Sequence, residues 1–167
     1  MLNISYMSSI LSHPTWDLIA IFLFIVAGFF YGWLSGKARL LSVLLSIYIA
    51  QILFVNMHFL NFFIAGRTLL ETFLMRISVF SVLVIVLSHL FYKTFLRSIS
   101  EEPRIWWKVF VLSFLEVGLL MASIFTLLPA VELFTFSPVV KYVFASPDAF
   151  LWWLVLPLAA LFIIMRR

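Results

Sequence analysis

The residue best placed to do chemistry in this chain is Glu116, near the centre of a largely apolar run. The run extends from Ile105 to Pro129 and is long enough for one membrane-spanning helix. A carboxylate at that depth costs about 2.5 kcal/mol or more on insertion scales, so a membrane protein that keeps one usually needs it. A protonated Glu116 could be an interhelical hydrogen-bond donor, and an alternately protonated one could couple transport to protons. Both interpretations stay open at this point.

Two basic side chains in the preceding apolar run are candidate partners for Glu116. Arg76 lies about 9 Å outside the midpoint of that run, and its side chain tilts outward, away from Glu116. His89 lies about 10 Å inside the midpoint, and its side chain tilts towards that of Glu116. We therefore predict an intramembrane polar site in which Glu116 and His89 form a direct or water-bridged pair. Three further polar residues are predicted to hydrogen-bond between helices: Gln51, Asn56 and Asn61.

Signatures of the common enzyme classes are missing from the sequence. It contains no G-x-S-x-G elbow, no H-E-x-x-H zinc helix and no P-loop. It also contains no Cys, which excludes thiol chemistry and Cys-ligated metals. The three histidines, His13, His58 and His89, fall on different segments. We predict a protein that is not an enzyme, with no catalytic residues, cofactor or metal.

The composition predicts a membrane protein. Of the 167 residues, 65% are hydrophobic and only 11% are charged, against about a quarter charged in soluble domains. The surplus of apolar surface must face a lipid bilayer. The net charge of +4 comes from basic residues that flank the hydrophobic runs, which indicates membrane topology rather than a nucleic-acid surface. We predict one all-α membrane domain over residues 1–167.

The hydrophobic runs predict about five transmembrane helices in this domain. Their approximate ranges are 16–34, 40–64, 69–95, 105–129 and 148–165. Ser137-Pro138 reads as an N-cap followed by Pro at the first helical position, and it predicts a short interfacial helix over about 138–145. Pro157 is expected to kink the last helix.

The distribution of Lys and Arg predicts the orientation. With the N-terminus outside, 8 basic residues lie on the inner side and 3 on the outer side. The inner ones are Lys37, Arg39, Lys93, Arg97, Arg104, Lys108, Arg166 and Arg167. The positive-inside rule therefore predicts N-out and C-in. All six Trp residues are interpreted as boundary anchors: Trp16, Trp152 and Trp153 outside, Trp33, Trp106 and Trp107 inside.

Small residues predict close helix packing. Gly28, Gly32 and Gly36 recur every four residues and so share one face of the first helix, and Gly118 begins a shorter stripe on the fourth. Lipid supplies no hydrophobic drive between helices, so such stripes allow tight van der Waals contact. Packing inside the first helical hairpin is favoured over a homodimer face.

The order of several local features follows a recognisable pattern. An acidic residue opens the first helix in Trp16-Asp17-Leu18-Ile19, and a basic turn leads into the second helix in Gly36-Lys37-Ala38-Arg39-Leu40-Leu41-Ser42. A later span carries the small residues Ser113 and Gly118, and the segment Ser137-Pro138-Val139 follows. Up to about residue 145, this order resembles the colicin V production protein family, a group of small bacterial inner-membrane proteins.

The resemblance implies a cellular role for the protein but no catalysed reaction. The family is tied to toxin production and envelope functions, so the expected role is a non-enzymatic accessory or scaffold in toxin export or the envelope. It implies a bacterial inner membrane, and a second copy or another membrane protein as partner, with no nucleic acid. The alternative is a small dimeric proton-coupled transporter that uses Glu116.

Overall fold

Every regular element of the described chain is a helix. The computed structural model describes residues 16–58, 60–96, 106–128 and 136–165. The helices are α1 (Trp16–Ser35), α2 (Lys37–Asn56), α3 (Leu60–Ile64), α4 (Leu69–Phe91, with a π-helical extension Tyr92–Leu96), α5 (Trp106–Leu127), α6 (Pro138–Val140, with a π-helical extension Lys141–Ala145) and α7 (Pro147–Met165). The prediction of an all-α fold is confirmed.

Within the described ranges, three helices are long and apolar enough to cross a membrane: Ala38–Asn56, Leu69–Thr94 and Trp106–Leu127. The count rises to four if the bent pair Pro138–Ala145 and Pro147–Ile163 forms one span. The predicted number of five is therefore too high. One reason is that the apolar stretch of α1, Ile19–Leu34, reaches only about 24 Å at helical rise, short of a hydrocarbon core of about 30 Å.

The second predicted run, 40–64, is broken in the structure. Helix α2 ends at Asn56, whose side-chain amide donates to the carbonyl of Ile52 at 2.7 Å. The next N–H groups then turn back early, because Met57 donates to Phe54 at 3.2 Å and His58 donates to Asn56 at 2.9 Å. A polar side chain that bonds to nearby backbone competes with helix continuation. The remaining apolar residues form the short, separate helix α3.

Two turns of the bundle follow directly from local sequence. Gly36, between α1 and α2, has φ of 82°, and Gly66, before α4, has φ of 80°, a region that favours glycine. Helix α4 then begins with a capping box. The Thr68 hydroxyl accepts from the Glu71 N–H at 3.3 Å, and the Glu71 carboxylate accepts from the Thr68 N–H at 3.0 Å. These signals place the start of α4 where the sequence predicts it.

Helix α5 is the centre of the bundle. It packs against α1, α2 and α7, whereas α4 packs mainly against α2 and leaves most of its surface exposed. The buried apolar positions of α2 and α5 meet in one core, which includes Leu44, Ile47, Leu112 and Leu119. Because α5 contacts several helices, its faces have different neighbours, and this division determines where polar groups are satisfied.

The segment after α5 folds back onto it. Helices α6 and α7 meet at an angle of 57°, and α6 buries Val140 and Phe144 against Ala122 and Phe125 of α5. Ser137 caps α6, as its hydroxyl accepts from the Val140 N–H at 3.4 Å. The short helix predicted over 138–145 is therefore present, and it is packed on α5. Residues 105 and 129, the predicted ends of the fourth span, lie outside the described residues.

Candidate functional site

A cavity of about 650 Å³ lies between α1, α2, α4 and α5. Its wall is mostly apolar, with Phe24, Val43 and Val84 among its side chains. Eight lining residues carry polar groups: Tyr31, Arg39, Ser42, Ser88, His89, Tyr92, Ser113 and Glu116. The volume falls in the range of small-molecule sites, roughly 300–1,000 Å³, and the combination of apolar walls with a few convergent polar groups is typical of such sites.

Glu116 is the buried carboxyl group of this cavity. Its side chain is only 7% exposed and lines the cavity from α5. Within the described part of the chain, no hydrogen bond or ion pair reaches its carboxyl group. Buried polar groups are nearly always hydrogen-bonded, so a carboxyl group that faces a cavity without a protein partner is left open to water, a proton or a ligand.

His89 lines the same cavity from α4, so the structure brings the two predicted site residues together. A contact across the bundle sets their relative depth. The Ser42 and Ser88 hydroxyl oxygens lie 3.5 Å apart, so these two residues are at the same level of α2 and α4. The bond between Gln51 and Ser123 gives the level of Glu116 on α5 in the same way. Along the bundle, the His89 backbone therefore lies about 4–5 Å closer than Glu116 to the level at which α2 starts. Both side chains tilt towards each other's level. In the described structure they share the cavity without a direct hydrogen bond, and the water-bridged pair stays a prediction.

Arg76 lies apart from Glu116. It lines a second cavity of about 210 Å³ together with Met57 and His58. This separation agrees with the helical tilt, which directs the Arg76 side chain towards the outer end of α4. Arg76 therefore lines a different cavity from the one that Glu116 faces.

Arg39 lies at one end of the main cavity, away from Glu116. The hydrogen bond from Gln51 to Ser123 aligns α2 with α5, and this alignment puts Glu116 at about the level of Leu44. At helical rise, the Arg39 backbone therefore lies roughly 8 Å closer than Glu116 to the level at which α2 starts. The Arg39 guanidinium carbon is 5.0 Å from the centroid of the Tyr92 ring, within cation–π range. The cavity thus has a cation at one end and a carboxyl group at mid-depth.

The serines of the cavity differ in how well they are bonded. Ser42 donates to the carbonyl of Arg39 at 2.7 Å. Ser113, one helical turn before Glu116, is buried, and its hydroxyl oxygen has no hydrogen-bond partner among the described residues. This unsatisfied hydroxyl lies on the α5 face against which Gly32 of α1 packs. It adds a second unmet polar group beside Glu116.

The predicted glycines have three different positions. A Cβ atom on Gly28 would lie 2.6 Å from Val117 Cγ2, and one on Gly32 would lie 2.5 Å from Ser113 Oγ, so both pack against α5. Gly32 also faces Leu40 of α2. Gly36 forms the α1–α2 turn through its positive φ. The stripe therefore serves contacts within the bundle, chiefly with α5.

Gly118 accommodates Trp153. A Cβ atom on Gly118 would collide with the indole ring of Trp153. That ring stacks on Phe144 at a centroid distance of 5.4 Å, and its Nε1–H donates to the carbonyl of Val143 at 2.9 Å. Trp153 is thus packed against the middle of α5, whereas Trp152 is 61% exposed, and its role as a boundary anchor stays a prediction.

The other side of α5 carries a closed set of hydrogen bonds. Gln51 donates to Ser123, and Ser123 donates to the carbonyl of Leu119 at 2.6 Å. The hydroxyl of Tyr48 donates to the carbonyl of Leu154 at 2.5 Å and so links α2 to α7. Of the predicted interhelical donors, Gln51 makes such a bond, Asn56 bonds within its own helix, and the side chain of Asn61 lies outside the described residues.

Asp17 is a buried residue that had not been predicted to bond. It is 2% exposed, and its carboxylate accepts from the Ser137 N–H at 2.7 Å. This bond ties the start of α1 to the start of α6 across 120 residues. The available signal was an acidic residue in the first turn of an apolar helix, but only the fold supplies its partner.

The cavity lining also contains residues that the sequence does not assign to the site: Tyr31, Ser42, Ser88 and Tyr92. Single polar residues in apolar helices were the available signal, but their facing directions depend on packing. No group of three or more His, Asp or Glu side chains suited to a metal occurs among the described residues. The arrangement can accept and release a proton at Glu116 or bind a cation there.

No protein-family model, no curated protein and no solved structure matches this chain.

Proposed function

We propose that this chain is a small multi-pass membrane transporter that moves a solute through the cavity at Glu116 in exchange for protons. The role is not enzymatic. The observation that carries the proposal is the buried Glu116 carboxyl group, which lines a cavity of about 650 Å³ and has no protein hydrogen-bond partner among the described residues. Ionisable groups kept inside membrane proteins mark solute, ion or proton pathways.

The alternative role of Glu116, an interhelical hydrogen-bond donor that only stabilises the bundle, has less support. A side chain that holds helices together should bond across them, as Gln51 does with Ser123. Glu116 instead faces open volume. A carboxyl group that can exchange a proton for a solute has to be reachable in this way.

The proposed setting is a bacterial inner membrane with the N-terminus outside and the C-terminus inside. Its support is the distribution of 8 basic residues against 3 in the sequence. In this orientation the Arg39 end of the cavity faces the cytoplasm, and Glu116 lies near the mid-plane. A reporter fused after Arg167 tests the orientation, because activity on the outer side contradicts it.

Proton flux in reconstituted protein tests the transport proposal, because it is measurable whether or not the exchange moves net charge. Proteoliposomes that enclose a pH-sensitive dye are exposed to solutes of different classes, namely organic cations, organic anions, amino acids and sugars, with and without a pH gradient. At least one class is expected to change the internal pH, and Glu116→Gln is expected to abolish this proton flux. The matched control is Glu71→Gln, which changes an exposed carboxylate outside the cavity. If no class drives a proton flux that depends on Glu116, the transport proposal is wrong.

A second candidate function is the accessory or scaffold role of the colicin V production type. The observation that favours it is the hydrogen bond between Asp17 and Ser137, since both residues belong to the segments that carry the resemblance. Such a role requires a partner, either another membrane protein or a second copy. Native mass spectrometry after gentle extraction from the source membrane tests it. A stoichiometric foreign partner supports the scaffold role, and a lone monomer or self-dimer contradicts it.

A further inference from the structure

The cavity opens sideways between α1 and α4. Helix α1 packs mainly on α5 and α4 packs mainly on α2, and the cavity occupies the gap between α1 and α4. The residues at this gap are exposed: Phe24, Ala27 and Tyr31 on α1, and Ile85 and His89 on α4. We call these five residues the lips. In a membrane bundle they face acyl chains, so a solute can enter from the lipid phase.

Behind the lips, the cavity combines apolar walls with a buried polar surface, which we call the base. Val43, Val84 and Val117 form walls, and Ser42, Ser113 and Glu116 are buried at the base. A neutral acyl chain would satisfy the walls but would leave the Glu116 carboxyl group without a hydrogen bond or counter-charge. The base therefore favours a ligand that brings a positive charge into an apolar space.

The other charged and titratable groups that face the cavity leave this preference in place. Tyr31 faces it from α1, Arg39 from α2, and His89 and Tyr92 from α4. Arg39 lies at the far end against the Tyr92 ring, which holds its charge away from the base. The rings of Phe24 and Tyr31 stand at the entrance, where aromatic faces attract a cation.

We propose that the cavity binds a lipophilic organic cation that enters from the bilayer between α1 and α4 and competes with a proton at Glu116. The proposal rests on the proposed transport function and names its substrate class. A cavity of about 650 Å³ accommodates a cation with several aromatic or aliphatic groups. The cation is not chemically changed: the proton leaves the Glu116 carboxyl group for water as the cation binds, so one positive charge replaces another.

The first test is binding of tetraphenylphosphonium to the purified full-length chain in detergent, measured by calorimetry in lightly buffered solution. Binding is expected to release about one proton per cation and to tighten as the pH rises from mildly acidic to mildly alkaline. Triphenylphosphine oxide, a neutral molecule with similar phenyl groups, is expected to bind about tenfold or more weakly and to release no proton. Equal binding of the neutral molecule overturns the proposal.

Substitutions inside and outside the cavity test where the cation binds. Glu116→Gln is expected to remove the proton release and to weaken cation binding about tenfold or more. Glu116→Asp keeps a carboxyl group and is expected to keep the release, which separates loss of charge from loss of folding. Tyr31→Ala at the lips is expected to weaken binding several-fold, whereas Tyr142→Ala, at an exposed tyrosine on the π-helical extension of α6, is not. Proton release that persists in Glu116→Gln contradicts the assignment.

The outcomes separate this inference from the proposed function. If the cation does not bind but another solute class drives a Glu116-dependent proton flux, transport stands and the cation class is wrong. If mass spectrometry finds a phospholipid retained in the cavity that the cation cannot displace, the site holds lipid and the inference is wrong. If neither binding nor proton flux depends on Glu116, both proposals fail.

Discussion

Two buried acidic residues among those described, Asp17 and Glu116, lie in contrasting surroundings. Asp17 is 2% exposed, and its carboxylate is hydrogen-bonded to the Ser137 backbone. Glu116 is 7% exposed and faces a cavity without a described protein partner. Both carry the cost of a carboxyl group removed from water. Of the two, Asp17 offsets that cost with a contact that also joins two helices. Similar burial is therefore compatible with two different roles, and the hydrogen-bond partner is what distinguishes them.

The same contrast divides helix α5 into two sides. The side towards α2 and α7 is closed, since Gln51, Ser123 and Tyr48 are bonded and Trp153 fills the space at Gly118. The side towards α1 and α4 is open, with the cavity and the unsatisfied Ser113 hydroxyl. We expect substitutions on the closed side to change stability and those on the open side to change binding.

The largest effect on stability is expected for Asp17→Ala, at about 2–3 kcal/mol. The change leaves the Ser137 N–H without its acceptor and removes a charge-assisted hydrogen bond. Glu116→Gln is expected to leave stability unchanged or to raise it, because it removes a buried ionisable group without breaking a bond. Titration with dodecyl sulfate, followed by circular dichroism, measures both. Equal losses in the two variants would contradict the contrast between the acids.

Gly118→Ala is expected to cost about 2 kcal/mol. The added methyl group collides with the rigid Trp153 ring, and overpacking of this kind typically costs 1–3 kcal/mol. Gly28→Ala is the matched control on the open side, where Val117 borders the cavity and has room to move. It is expected to cost less than about 1 kcal/mol. Thermal unfolding midpoints in one detergent compare them, and a larger loss for Gly28→Ala would reverse the assignment of the two sides.

The bond between Gln51 and Ser123 is expected to contribute about 0.6–1.7 kcal/mol of coupling energy, as interhelical hydrogen bonds do in membrane proteins. A double-mutant cycle of Gln51→Leu and Ser123→Ala, measured by unfolding, gives this value. Transport and cation binding should persist in both single variants. A loss of binding without a loss of stability would mean that the closed side takes part in the site.

Coupling between Glu116 and His89 is expected to be smaller, about 0.5 kcal/mol, because the two share a cavity without a direct bond. The cycle uses Glu116→Gln and His89→Gln, and it is read out in cation affinity as well as in unfolding. Zero coupling in both measurements would remove the water-bridged pair.

Ser113→Ala is expected to have the smallest effect, within about 0.5 kcal/mol of zero or slightly stabilising. Its hydroxyl is buried without a partner, so the substitution removes an unmet polar group and no bond. Ser123→Ala, which breaks two hydrogen bonds, is the control. A marked loss of stability in Ser113→Ala would show that its hydroxyl is satisfied in the folded protein, most simply by a water in the cavity.

Much of the helical layout was predictable because it depends on local signals. The ends of α4 follow from the Thr68 capping box and the length of its apolar run, and Ser137-Pro138 marks the start of α6. The break after Asn56 was missed, because hydropathy continues through it while backbone hydrogen bonding does not. The excess in the predicted number of spans has a different origin, since the apolar stretch of α1, Ile19–Leu34, is shorter than a hydrocarbon core.

The candidate site was predictable in part. Glu116 and His89 could be chosen because polar residues are conspicuous in apolar helices and helical rise sets their depth. Tyr31, Ser42 and Ser88 could not be assigned, because their contribution depends on which helices are adjacent.

The sequence by itself determined the class of this protein, an all-helical chain with several membrane-compatible helices, and the position of one carboxyl group in the middle of an apolar helix. Only the tertiary structure decided that Asp17 is bonded, that Gly118 accommodates Trp153, and that Glu116 faces a cavity. The physical reason is that lipid and the interior of a helical bundle are similarly apolar. Hydropathy therefore shows which segments leave water, but not which of their faces meet lipid, another helix or an open cavity.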